Sequence, residues 1–291
     1  MILSIGEILI DAYKSNEGCS SHIGGAPFNV AVWAKRAGGK VGFVGKVGDD
    51  DHGKFILDKA TDYHIDHINI GVANGLKTTV AEVALDGNGE RYFKFQRDNT
   101  ADFQLDVNDV DFESTCPNIV HLGTLMLNKK IGRKFFDNVI EIAKKKGFYI
   151  SIDANFRDDL FESKEMRNKI MKPYLKSANF LKMGLDELLD YTGKTTLEDG
   201  VKAMNFKNLL FVTDGGNGSH IFTKRTHIFV PSQKVDVIDA TGAGDAFWGN
   251  VLQGIDTLIS CGLPLDSHNL TSIAQRANIV GAQAVGQLGA I

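Results

Sequence analysis

The segment Asp239-Ala240-Thr241-Gly242-Ala243-Gly244-Asp245 runs directly into the apolar-periodic Ala246-Phe247-Trp248-Gly249. Small residues followed by an acid at the opening of such a run describe a bare helix N-terminus. Amides without bulky side chains can point at an anion there, and the helix dipole adds roughly half a positive charge. A carboxylate at the edge of an anion cradle suits transfer of a charged group onto an atom that must first lose a proton. Phosphoryl transfer to an alcohol uses both parts: Asp245 as the base and the amides of Gly242, Ala243 and Gly244 as the anion hole.

Other polar groups fall where an α/β protein places ligands, at the ends of apolar strands. Ile2 to Ile5 reads as a buried strand closed by Gly6, and Asp11 follows it, a better candidate than Glu7. Gly24-Gly25-Ala26-Pro27 opens a helix running to about Ala37, with Pro27 in its first turn and Asn29 beside the paired glycines. Asp153-Ala154-Asn155-Phe156-Arg157 follows another strand. Glu187 opens a helix after the strand ending at Met183, and reads either as a cap or as a carboxylate holding hydrated magnesium. Thr213-Asp214-Gly215-Gly216-Asn217-Gly218 reads as a tight hairpin tip, a backbone lining for a nucleotide, or both.

Positioning these groups takes an alternation of strands and helices. Beyond Asp102 the pattern runs Asn118–Leu122, Lys130–Lys146, Phe148–Asp153, Lys164–Lys176, Asn179–Met183, Asp186–Tyr191, which predicts βαβ units and a mostly parallel sheet covered on both faces. Val41–Val44 reads as a strand and Gly45–Asp51 as a loop whose acidic triplet caps a helix over Gly53–Asp62. Thr79–Leu85 and Arg91–Phe95 alternate around Asp86-Gly87-Asn88-Gly89, which predicts an antiparallel hairpin in a separate small sheet, with Phe93 and Phe95 on one face and Arg97 just beyond. Helices follow at the Gly242 stretch and over about Ser267–Val285.

The whole chain narrows the chemistry further. A net charge of −4 and a pI near 6.1 exclude any global attraction to nucleic acid or an anionic membrane, so a phosphate would have to be held locally. Cys19, Cys116 and Cys261 are widely spaced and odd in number, as expected of reduced thiols in a cytoplasmic protein. No apolar run reaches the roughly 18 residues of a membrane span. GxxxxGK[ST], GxGxxG after the first strand, HExxH and GxSxG are all missing, which excludes P-loop, dinucleotide, zincin and nucleophile-elbow chemistry on motif grounds.

The octet Gly24-Gly25-Ala26-Pro27-Phe28-Asn29-Val30-Ala31 and the heptad Asp239–Asp245 resemble the two signatures of the ribokinase-like (PfkB) carbohydrate kinases. The resemblance spans nearly the whole chain. Gly6-Glu7 with Asp11, Gly45–Asp50, Arg97 with Ala101-Asp102, Asp153–Arg157 and Thr213–Gly218 are similar to bacterial fructokinases in particular. It implies a single α/β/α sandwich over 1–291 with a small β lid drawn from about 12–23 and 72–98. It also implies ATP as donor, magnesium, and a free sugar, fructose first, as acceptor. Kinases for 2-keto-3-deoxygluconate share much of the pattern.

On the same resemblance Asp245 is the catalytic base, Asp11, Gly24, Gly25 and Asn29 hold the sugar, and Arg97 helps close the lid. Thr213, Gly215, Gly218, Gly244, Asn278 and Ala282 face the nucleotide, with Asn278 near the adenine. Glu187 organises magnesium, and Asp239 and Thr241 stand where relatives bind a monovalent cation such as K+. Apart from the resemblance, the projecting small sheet offers a surface through which a homodimer could form at the lid. One departure stands out: the family's Asn-x-x-Glu reads Gly184-Leu185-Asp186-Glu187 here. That glycine is the one feature favouring a weakly catalytic sugar- or nucleotide-binding regulator instead.

Overall fold

The computed structural model describes residues 1–15, 18–85, 91–286 and 289–291. Its centre is β1 (Ile2–Ile5), every residue of which is buried. Successive side chains of a strand point to opposite faces, and here both faces are covered. Ile2 joins the core of Phe28, Trp248 and Val251, while Leu3 and Ile5 join that of Phe136, Val139 and Ile150.

From β1 the chain enters a small sheet through β2 (Leu9–Ser15) and β3 (Gly18–Gly24), then returns in α1 (Ala26–Arg36), β4 (Val41–Gly48), α2 (Asp51–Lys59) and β5 (His67–Ala73). A second excursion forms β6 (Val80–Leu85) and β7 (Arg91–Gln96). The alternating part follows as α3 (Phe112–Thr115), β8 (Ile119–Leu122), α4 (Lys130–Lys146), β9 (Tyr149–Asp153), α5 (Lys164–Ser177), β10 (Phe180–Gly184), α6 (Leu185–Thr192), α7 (Leu197–Met204) and β11 (Leu209–Thr213). A hairpin, β12 (Gly218–Phe222) and β13 (His227–Pro231), precedes the closing helices α8 (Ala243–Ser260) and α9 (Ser267–Ala284).

The large sheet has the order β13-β12-β11-β10-β9-β8-β1-β4-β5, parallel except for the last hairpin, and the small sheet the order β3-β2-β6-β7. Helices α1, α2, α8 and α9 supply one core and α4 to α7 the other. This is the α/β/α sandwich with a separate small sheet expected from the pattern. Cys116 and Cys261 are free thiols. No helix among the described residues is long and apolar enough to cross a membrane.

Several local expectations change. Gly45–Gly48 is strand rather than loop, because Gly45 to Gly48 pair with Ile70 to Ala73 of β5. Residues 72–73 therefore belong to the large sheet, and the excursion into the small sheet begins nearer Val80. Asp11 sits inside β2, opposite His22, rather than in a strand-end loop. The acidic triplet does cap α2, with Asp50 accepting from Gly53 N at 2.8 Å. The turn Asp86–Gly89, the Phe93 side chain and the tail at 287–288 lie outside the described residues.

Candidate active site

Gly242 caps α8 at φ 78°, ψ −5°, and a Cβ there would lie 2.6 Å from Cα and Cβ of Ala290, so only glycine fits. Ala243, Gly244 and Asp245 form the first turn. Ala243 turns its amide inward to Ala240 O at 3.3 Å, a change from the expected anion hole. The amides of Gly242 and Gly244 have no backbone partner among the described residues, as the start of a helix requires. The loop before them is braced by Asp239, whose Oδ1 accepts from Thr241 N at 2.8 Å and Oδ2 from Gly289 N at 3.1 Å.

A second helix start meets this one. Gly25 caps α1 at φ 108°, and a Cβ on it would lie 2.5 Å from Glu7 O. Pro27 opens the helix and leaves Asn29 facing α8, where its Nδ2 donates to Asp245 Oδ2 at 2.8 Å. The partners are 216 residues apart in sequence. Burial raises the Asp245 carboxyl above its ordinary value, opposed by the Asn29 hydrogen bond and the charges of Lys182 and Arg157. A raised carboxyl with a fixed orientation suits a base that must take a proton from an alcohol.

Asp11 reaches the same space from β2. Burial, then the neighbouring Asp245 charge, push its carboxyl up to about 7. Room for it comes from Gly24, where a Cβ would lie 2.1 Å from Asp11 Oδ2. Gly24 thus shapes the cavity by leaving room for the Asp11 carboxylate, and does not itself line it. Gly24→Ala therefore displaces the Asp11 carboxylate: the expected result is a rise of roughly tenfold or more in the KM of the acceptor, the cost of about one hydrogen bond to a charged group, with the donor KM unchanged. Steady-state kinetics with each substrate varied in turn checks it, and equal rises in both would refute it.

Asp11, Gly25, Asn29, Thr241, Gly242 and Asp245 line one cavity of about 230 Å3. Four further polar residues line it that sequence reasoning did not assign to the site: Glu7, Thr124, Asn155 and Arg157. Asn155 and Arg157 were legible only as polar groups past a strand end, and Glu7 was passed over for Asp11. Arg97 does not line the cavity. Its guanidinium is drawn to the buried Asp102 and donates to Leu125 O at 2.8 Å, tying the base of the small sheet to the cavity wall.

Behind the α8 N-terminus lies a buried charged cluster. Lys182 Nζ is 2.7 Å from Asp153 Oδ2, and a Cβ on Gly244 would come within 2.9 Å of that ammonium. Glu187 uses Oε1 to accept from Phe156 N at 2.6 Å and Oε2 to accept from Gly184 N at 2.7 Å, so its carboxylate caps α6. Gly184 has ordinary negative φ, and a Cβ there would make only van der Waals contact with Glu187. No steric demand explains the glycine.

Of the residues expected to face a nucleotide, Gly244 stands in the first turn of α8 and the others lie in β11, the turn after it, β12 and α9; none lines the cavity. Thr213 ends β11, Gly215 stands at φ 48° with open space beside it, and Gly218 at φ 126° lets the chain pass Val230 O, 2.2 Å from where a Cβ would be. Asn278 donates from Nδ2 to Val230 O at 2.9 Å, which commits its amide to β13. Ala282 is buried on the same helix.

The family profile of pfkB carbohydrate kinases matches residues 1–291. A probable fructokinase-2 of Arabidopsis thaliana is 33% identical over all of this chain and 92% of its own length. A fructokinase of Vibrio cholerae O395, solved in a fructose-, ADP- and calcium-bound form, superposes with a TM-score of 0.90 at 28% identity, covering 99% of this chain and 94% of its own. Its double mutant was solved with fructose, ADP and potassium, at a TM-score of 0.89 and 28% identity over 99% and 93% of the two chains. A fructokinase of Xylella fastidiosa with bound ATP gives 0.88 at 30% identity over 99% and 93%. With a full-length profile match and a relative of this similarity over its whole length, the chain belongs to the pfkB family of carbohydrate kinases.

Proposed function

We propose that this protein is a fructokinase that transfers the γ-phosphoryl group of ATP to a hydroxyl of free fructose. The observation that carries the reading is the hydrogen bond between Asn29 and Asp245 across two helix N-termini, inside a cavity of sugar size. Asp11 and Asn29 hold the acceptor, and Asp245 takes the hydroxyl proton as the phosphoryl group arrives. The Gly242 and Gly244 amides, with the α8 dipole, meet the negative charge of the moving group. The small sheet covers the sugar and keeps out water, which would otherwise compete as acceptor. The fructokinases similar to this chain, solved with fructose, ADP or ATP, support the choice of substrates.

Magnesium fits the cluster behind α8: Asp153 Oδ1 is buried without a hydrogen-bond partner, and Glu187 is fixed beside it by two amides. The two carboxylates would hold the ion through its waters, and it would offset charge on the phosphates. A monovalent cation is placed beside Asp239 and Thr241, in the loop that the Asp239 carboxylate braces. The outer face of the small sheet is assigned to a second copy of the chain, which sedimentation velocity would detect.

Arg157 in the cavity lining favours one alternative acceptor, a keto acid such as 2-keto-3-deoxygluconate, whose carboxylate would meet the guanidinium. A sugar screen read by ADP release decides between them. Magnesium-dependent ADP formation with fructose is the expected result; turnover of the keto acid without turnover of fructose overturns the reading.

A further inference from the structure

Four chain crossings join the small sheet to the body, and two of them carry buried charge. Glu7 lies between β1 and β2, and Arg97 follows β7 directly. They are 3% and 5% exposed. Arg97 is engaged on one side only. Its Nη2 pairs with Asp102, its Nη1 donates to Leu125 O at 2.8 Å and Asn128 Oδ1 at 3.0 Å, and its guanidinium lies over the Phe103 ring at 4.0 Å. Asp102 in turn accepts from the hydroxyls of Thr79, on the segment just before β6, and of Thr100, on the same segment as Arg97, at 2.7 and 2.6 Å.

This network leaves one donor and one acceptor over. Arg97 Nε is buried with no acceptor, and Glu7 Oε2 is buried with no donor. Leaving such groups unmade costs stability, so a conformation that joins them is favoured by both. The charges around Glu7 are Arg97 after β7, Asp102 just beyond it and Arg157 after β9, with Asp11 and Asp245 in the shared cavity. Burial outweighs the two arginines and pushes the Glu7 carboxyl up to about 8, so at neutral pH it keeps its proton.

We propose that Glu7 and Arg97 are positioning residues that form a latch: when an acceptor sugar fills the cavity and the small sheet closes, Glu7 Oε2 meets Arg97 Nε as an ion pair. This rests on the sugar-kinase reading above. The Glu7 proton passes to solvent as the pair forms, because an adjacent guanidinium favours the ionised carboxyl. Sugar affinity then rises with pH, by at most tenfold per unit, up to about 8. Above that Glu7 is already ionised before closure and the affinity levels off.

The test is calorimetric titration of the intact protein with fructose at pH 7, repeated in buffers of different ionisation enthalpy, for wild type and Glu7→Gln. Asp11 is present in both proteins, so its own proton exchange cancels in the difference. The expected result is about one more proton released by wild type than by Glu7→Gln, and equal release overturns the latch. Should Glu7→Gln fail to fold, 13C-carboxyl NMR of glutamate-labelled wild type at pH 7 replaces it. One resonance moving from the protonated to the ionised position as sugar is added supports the latch, and none moving overturns it. Turnover of fructose without a Glu7-dependent proton sinks the latch alone. No binding or turnover of any sugar sinks the proposed function and the latch together.

Discussion

Asp245→Asn lowers kcat by about 10^2- to 10^4-fold, the range in which a positioned base contributes, while fructose still binds with nearly its original affinity. The two effects separate because the change removes basicity and little else. The introduced amide keeps the shape of the carboxyl, and its oxygen can still accept from Asn29 Nδ2, which now donates to Asp245 Oδ2 at 2.8 Å. Nor should the fold suffer. Burial disfavours the charged carboxyl at this position, so a neutral group there is tolerated at least as well. Single-turnover kinetics measures the chemical step and calorimetry the sugar affinity. A loss of less than tenfold in the chemical step would show that another group takes the proton.

Lys182→Met has the larger effect on stability. Lys182 is 7% exposed and its ammonium is the partner of Asp153, with the Glu187 carboxylate also acting on it. Removing it strands two buried carboxyls around a space that a methionine fills with apolar atoms. Breaking a buried pair from one side costs about 3–5 kcal/mol, a fall in Tm on the order of 10 °C for a chain of this size. Asp153→Asn in the same chain should restore part of that loss, since it removes the uncompensated charge. The four proteins form a double-mutant cycle read by thermal denaturation. Strict additivity of the two changes would mean that the pair contributes nothing.

The chemistry was more legible than the machinery that moves it. Asp245 and Asn29 announce themselves because glycine, proline and an acid at a helix start have few structural uses in that order. Gly242, Gly244 and Gly25 were readable for the same reason, whereas the inward turn of the Ala243 amide was not. Arg97 was legible only as a cation just beyond an alternating strand, and the fold adds that Asp102 and the Leu125 carbonyl hold it outside the cavity lining. Glu7 was undervalued for a related reason: burial lifts its carboxyl, and burial at a β1–β2 junction depends on Pro27 and Gly123, which approach from elsewhere in the chain. The strand over Gly45–Gly48 escaped because Gly45 and Gly48 read as a turn, and it is settled by pairing with the exposed β5. Edge pairings of that kind are decided by the neighbouring strand, not by local propensity.

The placement of β1 has a consequence for how the molecule is made. Its two neighbours are β4, which pairs Ile2 with Val41, and β8, which pairs Ile2 with Ile119. During synthesis from the N-terminus, one edge of this wholly buried strand therefore waits for some hundred residues that the ribosome has yet to add. Contacts of such long sequence separation slow folding and leave unpaired edges exposed in the interval. A nascent chain halted before β8 is expected to be aggregation-prone and dependent on chaperones, whereas one carrying β8 and the helix behind it can complete its centre.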